Sequence, residues 1–431
     1  MPFENSPIPP RSGARRRIAV IGGGISGLGA AHMLGADAEV VLYEAEDRLG
    51  GHARTRKVGD QPVDTGFIVF NYANYPLLTR LFDELDVPVV KSDMSFSASL
   101  KSGLEYGLRD VGAIFAQKRN ALNPRYWGML RDVMRFNKHA VAVAKDESLT
   151  LGQFLEKLGT GEWFRKHYLL PLSGAIWSTP TEKIMDFPAH ALVRFFENHA
   201  LLSATGQHQW YTVQGGSVEY VQRLVAALKA QGTVLRAGTP VDAVQRSGLQ
   251  VMVKARGDWE AFYDVVFATH GDVSLKLLTD PSAEEHAALS KVAYQPNKVV
   301  LHSDETMMPT RRACWSSWNY VEAPDKTTEA IDLTYWMNRL QQIPETLPLF
   351  VTLNSTRPID PSKVHDEVTL RHPVYDTGML EAQRAVAGFN GARNTWFCGA
   401  WMRNGFHEDG LASAAEVARG IAERARREEA A

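Results

Sequence analysis

"RIAVIGGGISGLGAAHMLG", residues 17–35, decides how the chain begins to fold. Ile18, Ala19, Val20 and Ile21 form a short apolar run of the kind buried on both faces of a sheet. A glycine turn follows, then small residues at helical spacing. "AEVVLYEA", 38–45, is a second strand of the same kind. Strand, turn, helix and strand in that order predict a parallel sheet covered by helices, an α/β fold. Gly22, Gly24 and Gly27 satisfy G-x-G-x-x-G. The first glycine allows a tight turn, the second lets a phosphate approach the backbone, and the third lets helix and strand pack closely. A pyrophosphate then lies at the helix N-terminus. Glu44 ends the second strand, where a carboxylate holds a ribose 2′-hydroxyl and repels a 2′-phosphate. Soon after comes "DRLGGHART", 47–55. An NAD dehydrogenase does not need that second glycine pair, whereas a flavin protein can use it to hold the pyrophosphate again.

The bulk numbers exclude several classes. The chain has 431 residues, 45% of them hydrophobic and 22% charged, with a formal net charge of −2. That length predicts two domains or one composite domain. The charge argues against nucleic acid as a partner. Two cysteines, Cys314 and Cys398, make no disulfide framework and point to a reducing, cytoplasmic setting. No run reaches the roughly 18 apolar residues of a membrane span, and "MPFENSPIPPRSGARRR" reads as a disordered leader rather than a secretion signal. The histidines show no H-E-x-x-H or Cys/His spacing, so no metal site is expected.

Further along, residues 76–210 change to a helical pattern, broken into "YPLLTRLFDEL", "VGAIFAQKRNAL", "YWGMLRDVMRFNKHAVAVAK" and "LTLGQFLEKLG". "TPVDAVQRSGLQVMVKA" and "YDVVFATH" read as strands, as do "NKVVLHS", "IDLTYWMN" and "LPLFVTL". "TWFCGAW" is a last strand before a helix starting near Leu411.

Taken together, "AVIGGGISGL", "YEAEDRLGGHART", "VDTG", "QGGSVEYVQRL", "TPVDAV", "VVFATH" and "FCGAW…HEDGL" resemble the FAD-dependent amine oxidase and phytoene desaturase superfamily. The resemblance implies a Rossmann-like FAD-binding domain made of 14–75, 215–290 and 385–431. It also implies an inserted α+β substrate or lid domain made of 76–214 and 291–384. By the same resemblance Gly22, Gly24, Ser26 and Gly27 contact the pyrophosphate and Glu44 the adenosine ribose. Arg48, Gly51, His52 and Thr55 lie along the FAD, and Val241 pairs its backbone with the adenine. His52 stands where many relatives have arginine, and Ala400 follows Gly399 where many have an acidic residue for the ribityl chain. Gly410 and Leu411 present N–H groups to the pyrimidine end of the ring, and the helix dipole there stabilises negative charge.

On the substrate side, the resemblance implies that Lys298 holds a water against flavin N5. Read from the residues alone, it is the wet-face lysine of a strand. His407 and Glu408 are candidate proton acceptors or parts of a structural turn, and Asp409 is expected to shape the helix start. Trp177, Trp210, Tyr211, Trp315, Trp318, Tyr320, Tyr335 and Trp336 are ordinary core individually and together allow an apolar pocket. Residues 101–147 carry nine Lys or Arg against five Asp or Glu, among Trp127, Met129, Leu130, Met134 and Phe136. They read as a solvated helix face or as a patch for the inner face of a membrane.

The combination of "GGH", "DTGF" and "GFHEDG" resembles bacterial lipid-modifying members that desaturate methyl-branched fatty acyl chains on the way to furan fatty acids. It implies such a desaturase acting on membrane phospholipid chains. A flavin amine oxidase and a non-catalytic flavin-binding protein stay open beside it, as does the electron acceptor: oxygen, a quinone or a protein.

Overall fold

The computed structural model describes residues 15–177, 185–186, 188–198, 201–202, 208–248, 250–323 and 332–430. Residues 1–14 of the N-terminal leader and the side chain of Trp177 lie outside what it describes, while the leader's last two arginines, Arg16 and Arg17, already belong to a strand.

Strand Arg16–Ile21 is central in a five-stranded, wholly parallel sheet. Ala38–Tyr43 and Val234–Arg236 lie on one side of it, and Asp264–Phe267 and Thr395–Phe397 on the other. Ile18–Ile21 are buried on both faces, which explains their unbroken apolar run. Helix Ile25–Leu34 covers one face and packs against the C-terminal helix His407–Glu429. The two axes come close because small residues meet large ones. A Cβ on Gly29 would lie 2.4 Å from Leu411 Cδ1, and one on Gly410 would lie 2.8 Å from Ser26 Oγ.

The two expected inserts join in one seven-stranded sheet. Its strands run in the order Val364–Pro373, Tyr294–His302, Phe350–Leu353, Leu333–Trp336, Trp318–Val321, Phe96–Ser99 and Glu105–Gly107. The seam is the parallel pairing of Trp318–Val321 with Phe96–Ser99. The short strands at 96–107 escape the helical reading of 76–210, because each is too brief to show its own period. Where "VGAIFAQKRNAL" reads as one helix, the chain makes two short pieces, Val111–Ile114 and Lys118–Leu122.

Two domain boundaries shift. Leu78, Leu81 and Phe82 of helix Pro76–Glu84 share a core with Ile25 and Leu28, so this helix packs with the nucleotide sheet. Helix Thr377–Phe389 buries Met379, Ala382 and Val386 against Val265 and Phe397, so a boundary at 384/385 falls inside an element of that same side.

Asp64 of "VDTG" ties the parts together. Its carboxylate accepts from Thr55 Oγ1 at 2.6 Å, from Ser217 N and Oγ, and from Gln341 Nε2 at 2.8 Å. Burial pushes its pKa up to about 6, against the lowering effect of those donors.

A cavity between the two sheets

A cavity of about 690 Å³ runs from the end of strand Ala38–Tyr43, past the glycine turns, to the aromatic side chains of the seven-stranded sheet. Its near end is lined by Glu44, Glu46, Thr239 and Val241. The Glu44 carboxylate accepts from Gly23 N at 2.6 Å and from Glu46 N at 2.9 Å, so it is held rigidly at the strand end.

Two turns of backbone make the middle. Gly22 has φ +112°, and a Cβ on Gly27 would stand 1.8 Å from Gly22 O, so the close crossing of turn and helix demands glycine. The second glycine pair lies directly on the first. Gly50 N donates to Gly23 O at 2.8 Å, and Gly51 adopts φ +57°, where a Cβ would stand 3.0 Å from Gly24 Cα. Gly22, Gly23, Gly24, Ser26 and Gly51 therefore wall one groove, narrow and rich in backbone. An extended dinucleotide diphosphate fits it, with its anionic centre at the N-terminus of helix Ile25–Leu34.

Four histidines mark the far end: His52, His270, His372 and His407. The His52 ring lies 5.6 Å from that of His372 and 6.2 Å from that of His270. His270 stacks on Tyr294 at 4.1 Å, and His407 on Phe67 at 3.9 Å. Burial lowers all four pKa values, with Arg48 adding to the effect at His52 and His52 adding to it at the other three. His270 falls to about 4 and His372 and His407 to about 3. At neutral pH this end is thus ringed by uncharged imidazoles. Trp210, Trp318, Tyr335, Met94 and Leu201 complete the wall, with Arg371 beside His372. Arg371 also pairs with Asp272 at 2.6 Å and lies over the Tyr294 ring. The carboxylates lining the cavity, Glu44 and Glu46, are at the nucleotide end.

Several sequence-derived placements need correction. Lys298 projects to solvent on strand Tyr294–His302 and pairs with Glu367 at 3.0 Å, while its neighbour Asn297 is buried. Strand alternation has turned it away from the cavity. Glu408 also points away: its two oxygens accept from Leu77 N and Leu78 N, each at 2.9 Å, at the start of helix Pro76–Glu84. The helix expected near Leu411 begins at His407. Gly410 N therefore donates to Phe406 O, and Leu411 is buried against helix Ile25–Leu34, so neither presents an N–H to the cavity. Asp409 does shape the helix start, accepting from Phe406 N at 2.9 Å, and burial raises its pKa to about 6. Thr55 is engaged by Asp64, and Arg48 braces the turn by donating to Gly51 O and Ala53 O.

Gly22, Gly24, Ser26, Glu44, Gly51, His52, Val241, Gly399 and His407 do line the cavity. Of the aromatics, Trp210, Trp318 and Tyr335 line it, while Trp315 and Trp336 pack together in a separate core and Tyr211 stacks on Phe70. His270, Tyr294, Arg371 and His372 went unnoticed in the sequence. Their positions are far apart in the chain, and only "VVFATH" gave a local hint of His270. Among the described residues, no three His, Cys, Asp or Glu side chains converge to hold a metal ion.

Comparison with known proteins agrees with this arrangement. The family model described as flavin containing amine oxidoreductase matches residues 25–422. A coproporphyrinogen III oxidase of Mycobacterium tuberculosis is 49% identical over 59 residues, a segment that spans 13% of this chain and 13% of that relative. The fatty acid isomerase of P. acnes that produces CLA superposes with a TM-score of 0.68 at 17% identity, covering 94% of this chain and 98% of that one. Wild-type putrescine oxidase bound to putrescine superposes with a TM-score of 0.70 at 15% identity, covering 95% and 99%. At these identities the two likenesses are of fold.

Proposed function

The chain belongs to the flavin containing amine oxidoreductases, and from that premise we propose that it oxidises an apolar lipid, a methyl-branched fatty acyl chain of a membrane phospholipid, introducing a double bond. FAD is the cofactor, and when bound it supplies a two-electron acceptor for a hydride. The glycine groove and Glu44 would hold its diphosphate and ribose ends, which would leave the redox-active ring for the far end.

The observation that carries the reading is the character of that end. Trp318, Tyr335, Trp210, Met94 and Leu201 wall it, the titratable imidazoles are neutral, Arg371 is already paired with Asp272, and among the described residues no carboxylate lines this end. A protonated amine would be desolvated there with no lining carboxylate to pair with it, which is costly. A hydrocarbon chain loses nothing by entry and gains about 25 cal/mol per Å² of apolar surface buried.

Desaturation removes a hydride and a proton from adjacent carbons. His407 is the candidate to take the proton; burial holds its pKa at about 3, so it serves as the base only with the negative charge that hydride transfer would leave beside it, which raises that pKa. Its Nε2 lies 2.9 Å from Tyr220 Oη in a buried pair. When Nε2–H donates to Tyr220, Nδ1 is a bare acceptor. The Phe67 stack fixes the ring plane, and the dry wall excludes water that would compete for the proton.

Anaerobic mixing of the yellow protein with candidate substrates tests the proposal. Bleaching by a methyl-branched unsaturated phospholipid, with a product lighter by two hydrogens, supports it. Bleaching by amines with release of an aldehyde assigns an amine oxidase instead, and bleaching by coproporphyrinogen III assigns a porphyrinogen oxidase. A protein that no substrate class bleaches is a flavin-binding protein without turnover.

A further inference from the structure

Five of the eight large apolar side chains that stand exposed among the described residues fall between 111 and 141: Val111, Leu122, Trp127, Met134 and Val141. Three of them lie on helix Pro124–Val143 at intervals of seven residues. That interval keeps Trp127, Met134 and Val141 in one line along the helix. Arg131 and Lys138 occupy the same outward face, with Arg135 at its edge. The one carboxylate of the helix, Asp132, is buried on the other side, where it accepts from Gly161 N at 2.8 Å. Just before the helix come exposed Leu122, Lys118 and Arg119. The outward surface is therefore apolar and cationic at once, on a chain whose net charge is −2.

A merely solvated face does not need this pattern. Leu122 is 87% exposed, Met134 62% and Trp127 52%, so water meets them at a hydrophobic cost. The inner face is committed elsewhere, with Tyr126, Met129, Phe136 and Ala140 filling the core on which Trp318 and Tyr335 also pack. The helix is consequently the outer skin of the layer that walls the far end of the cavity.

We propose that this helix, with the Lys118–Leu122 turn before it, docks the protein on an anionic lipid surface. Trp127, Met134 and Leu122 enter the interface between headgroups and acyl chains, and Arg131, Lys138 and Arg135 meet lipid phosphates. Trp127 suits that depth, since its ring is apolar and its Nε1–H already donates to Ala121 O at 2.9 Å. The lysine and arginine stems extend the apolar contact while their heads stay in the phosphate layer. The inference stands on this face alone and holds whichever substrate the cavity takes.

Sedimentation of the flavin-loaded protein with vesicles tests it. Binding is expected to vesicles of phosphatidylcholine with added phosphatidylglycerol, weakly or not at all to phosphatidylcholine alone, and to fall as salt is raised. The double change Arg131→Gln, Lys138→Gln should weaken partitioning by roughly 25-fold, near fivefold for each cation removed. Trp127→Ser with Met134→Ser should release the protein at low salt too. All four positions are exposed, so retained flavin absorbance and an unchanged melting temperature will show that the variants fold. No binding to anionic vesicles, or variants that bind as the parent does, would overturn the proposal. So would a wild-type mass in light scattering that is double the monomer's and is halved by Met134→Glu, because the face would then join two copies of the chain.

Discussion

Glu408→Gln separates a chemical role from a mechanical one. Glu408 stands next to His407, but its carboxylate leaves the cavity and accepts from the N–H groups of Leu77 and Leu78. These are among the first N–H groups of helix Pro76–Glu84, which have no partner inside their own helix. The amide isostere keeps one oxygen as an acceptor and sets a donor against the other N–H. A charge-assisted hydrogen bond contributes about 1.5–3 kcal/mol, and the favourable charge at a helix N-terminus adds about 0.3–1 kcal/mol. Against this, burial raises the pKa of Glu408, so the charged form carries a desolvation cost that glutamine relieves. The net expectation is a loss of about 1–2 kcal/mol. At about 2.1 cal/mol/K per residue, a chain of this length should melt only about 1–2 °C lower. Turnover should stay within about threefold, whereas loss of a general base costs about 10²–10⁴-fold. Differential scanning calorimetry and a stopped-flow bleaching assay measure the two effects. A hundredfold slower reductive step with bound flavin and an unmoved melting temperature would refute the capping role.

Three other outcomes follow from the geometry. Lys298→Met should leave flavin reduction within about twofold, since an exposed ion pair contributes about 0–1 kcal/mol and does not reach the cavity; a large loss of reduction rate would contradict its placement. Gly27→Ala drives a methyl group into Gly22 O, so the purified variant should lack flavin absorbance, and a yellow variant would contradict the close crossing. Acid should destabilise the protein. His270, His302, His372 and His407 stay neutral to about pH 3–4 when folded, so each contributes stability that is present above the ordinary histidine pKa and lost as pH falls towards those values. Asp64 and Asp409, raised to about 6, act oppositely, with stability present below pH 4 and lost as pH rises through 6. The histidines outnumber the raised carboxylates, so stability should fall as pH drops from 6 to 4. A urea midpoint that does not fall across that window would contradict the burial of the histidines.

The nucleotide half was legible because its constraints are local. A phosphate-binding turn needs glycine where a Cβ would collide, as at Gly27, and those demands sit within a few residues of one another. The carboxylate of Glu44 at the near end of the cavity follows from the length of one helix and one strand. The seam between the two inserts was not legible, because the strands at 96–107 are too short to show a period and Phe96–Ser99 pairs with a strand more than 200 residues away.

At the far end the deciding quantity was direction. His407 and Glu408 are adjacent in the sequence, and successive residues of a helix project about 100° apart. Docking the C-terminal helix against Ile25–Leu34 turned one into the cavity and the other onto the start of a neighbouring helix. Strand parity did the same at 297 and 298, burying Asn297 and exposing Lys298. His52, His270 and His372 meet only when three separate loops and strands close over one space. The sequence by itself determined the glycine cradle, the carboxylate at Glu44 and the parallel sheet that carries them, because backbone geometry imposes those residues where they stand. Tertiary structure alone decided which side chains face the reacting end and in what charge state, because direction and burial belong to the packed elements and not to the order of the chain.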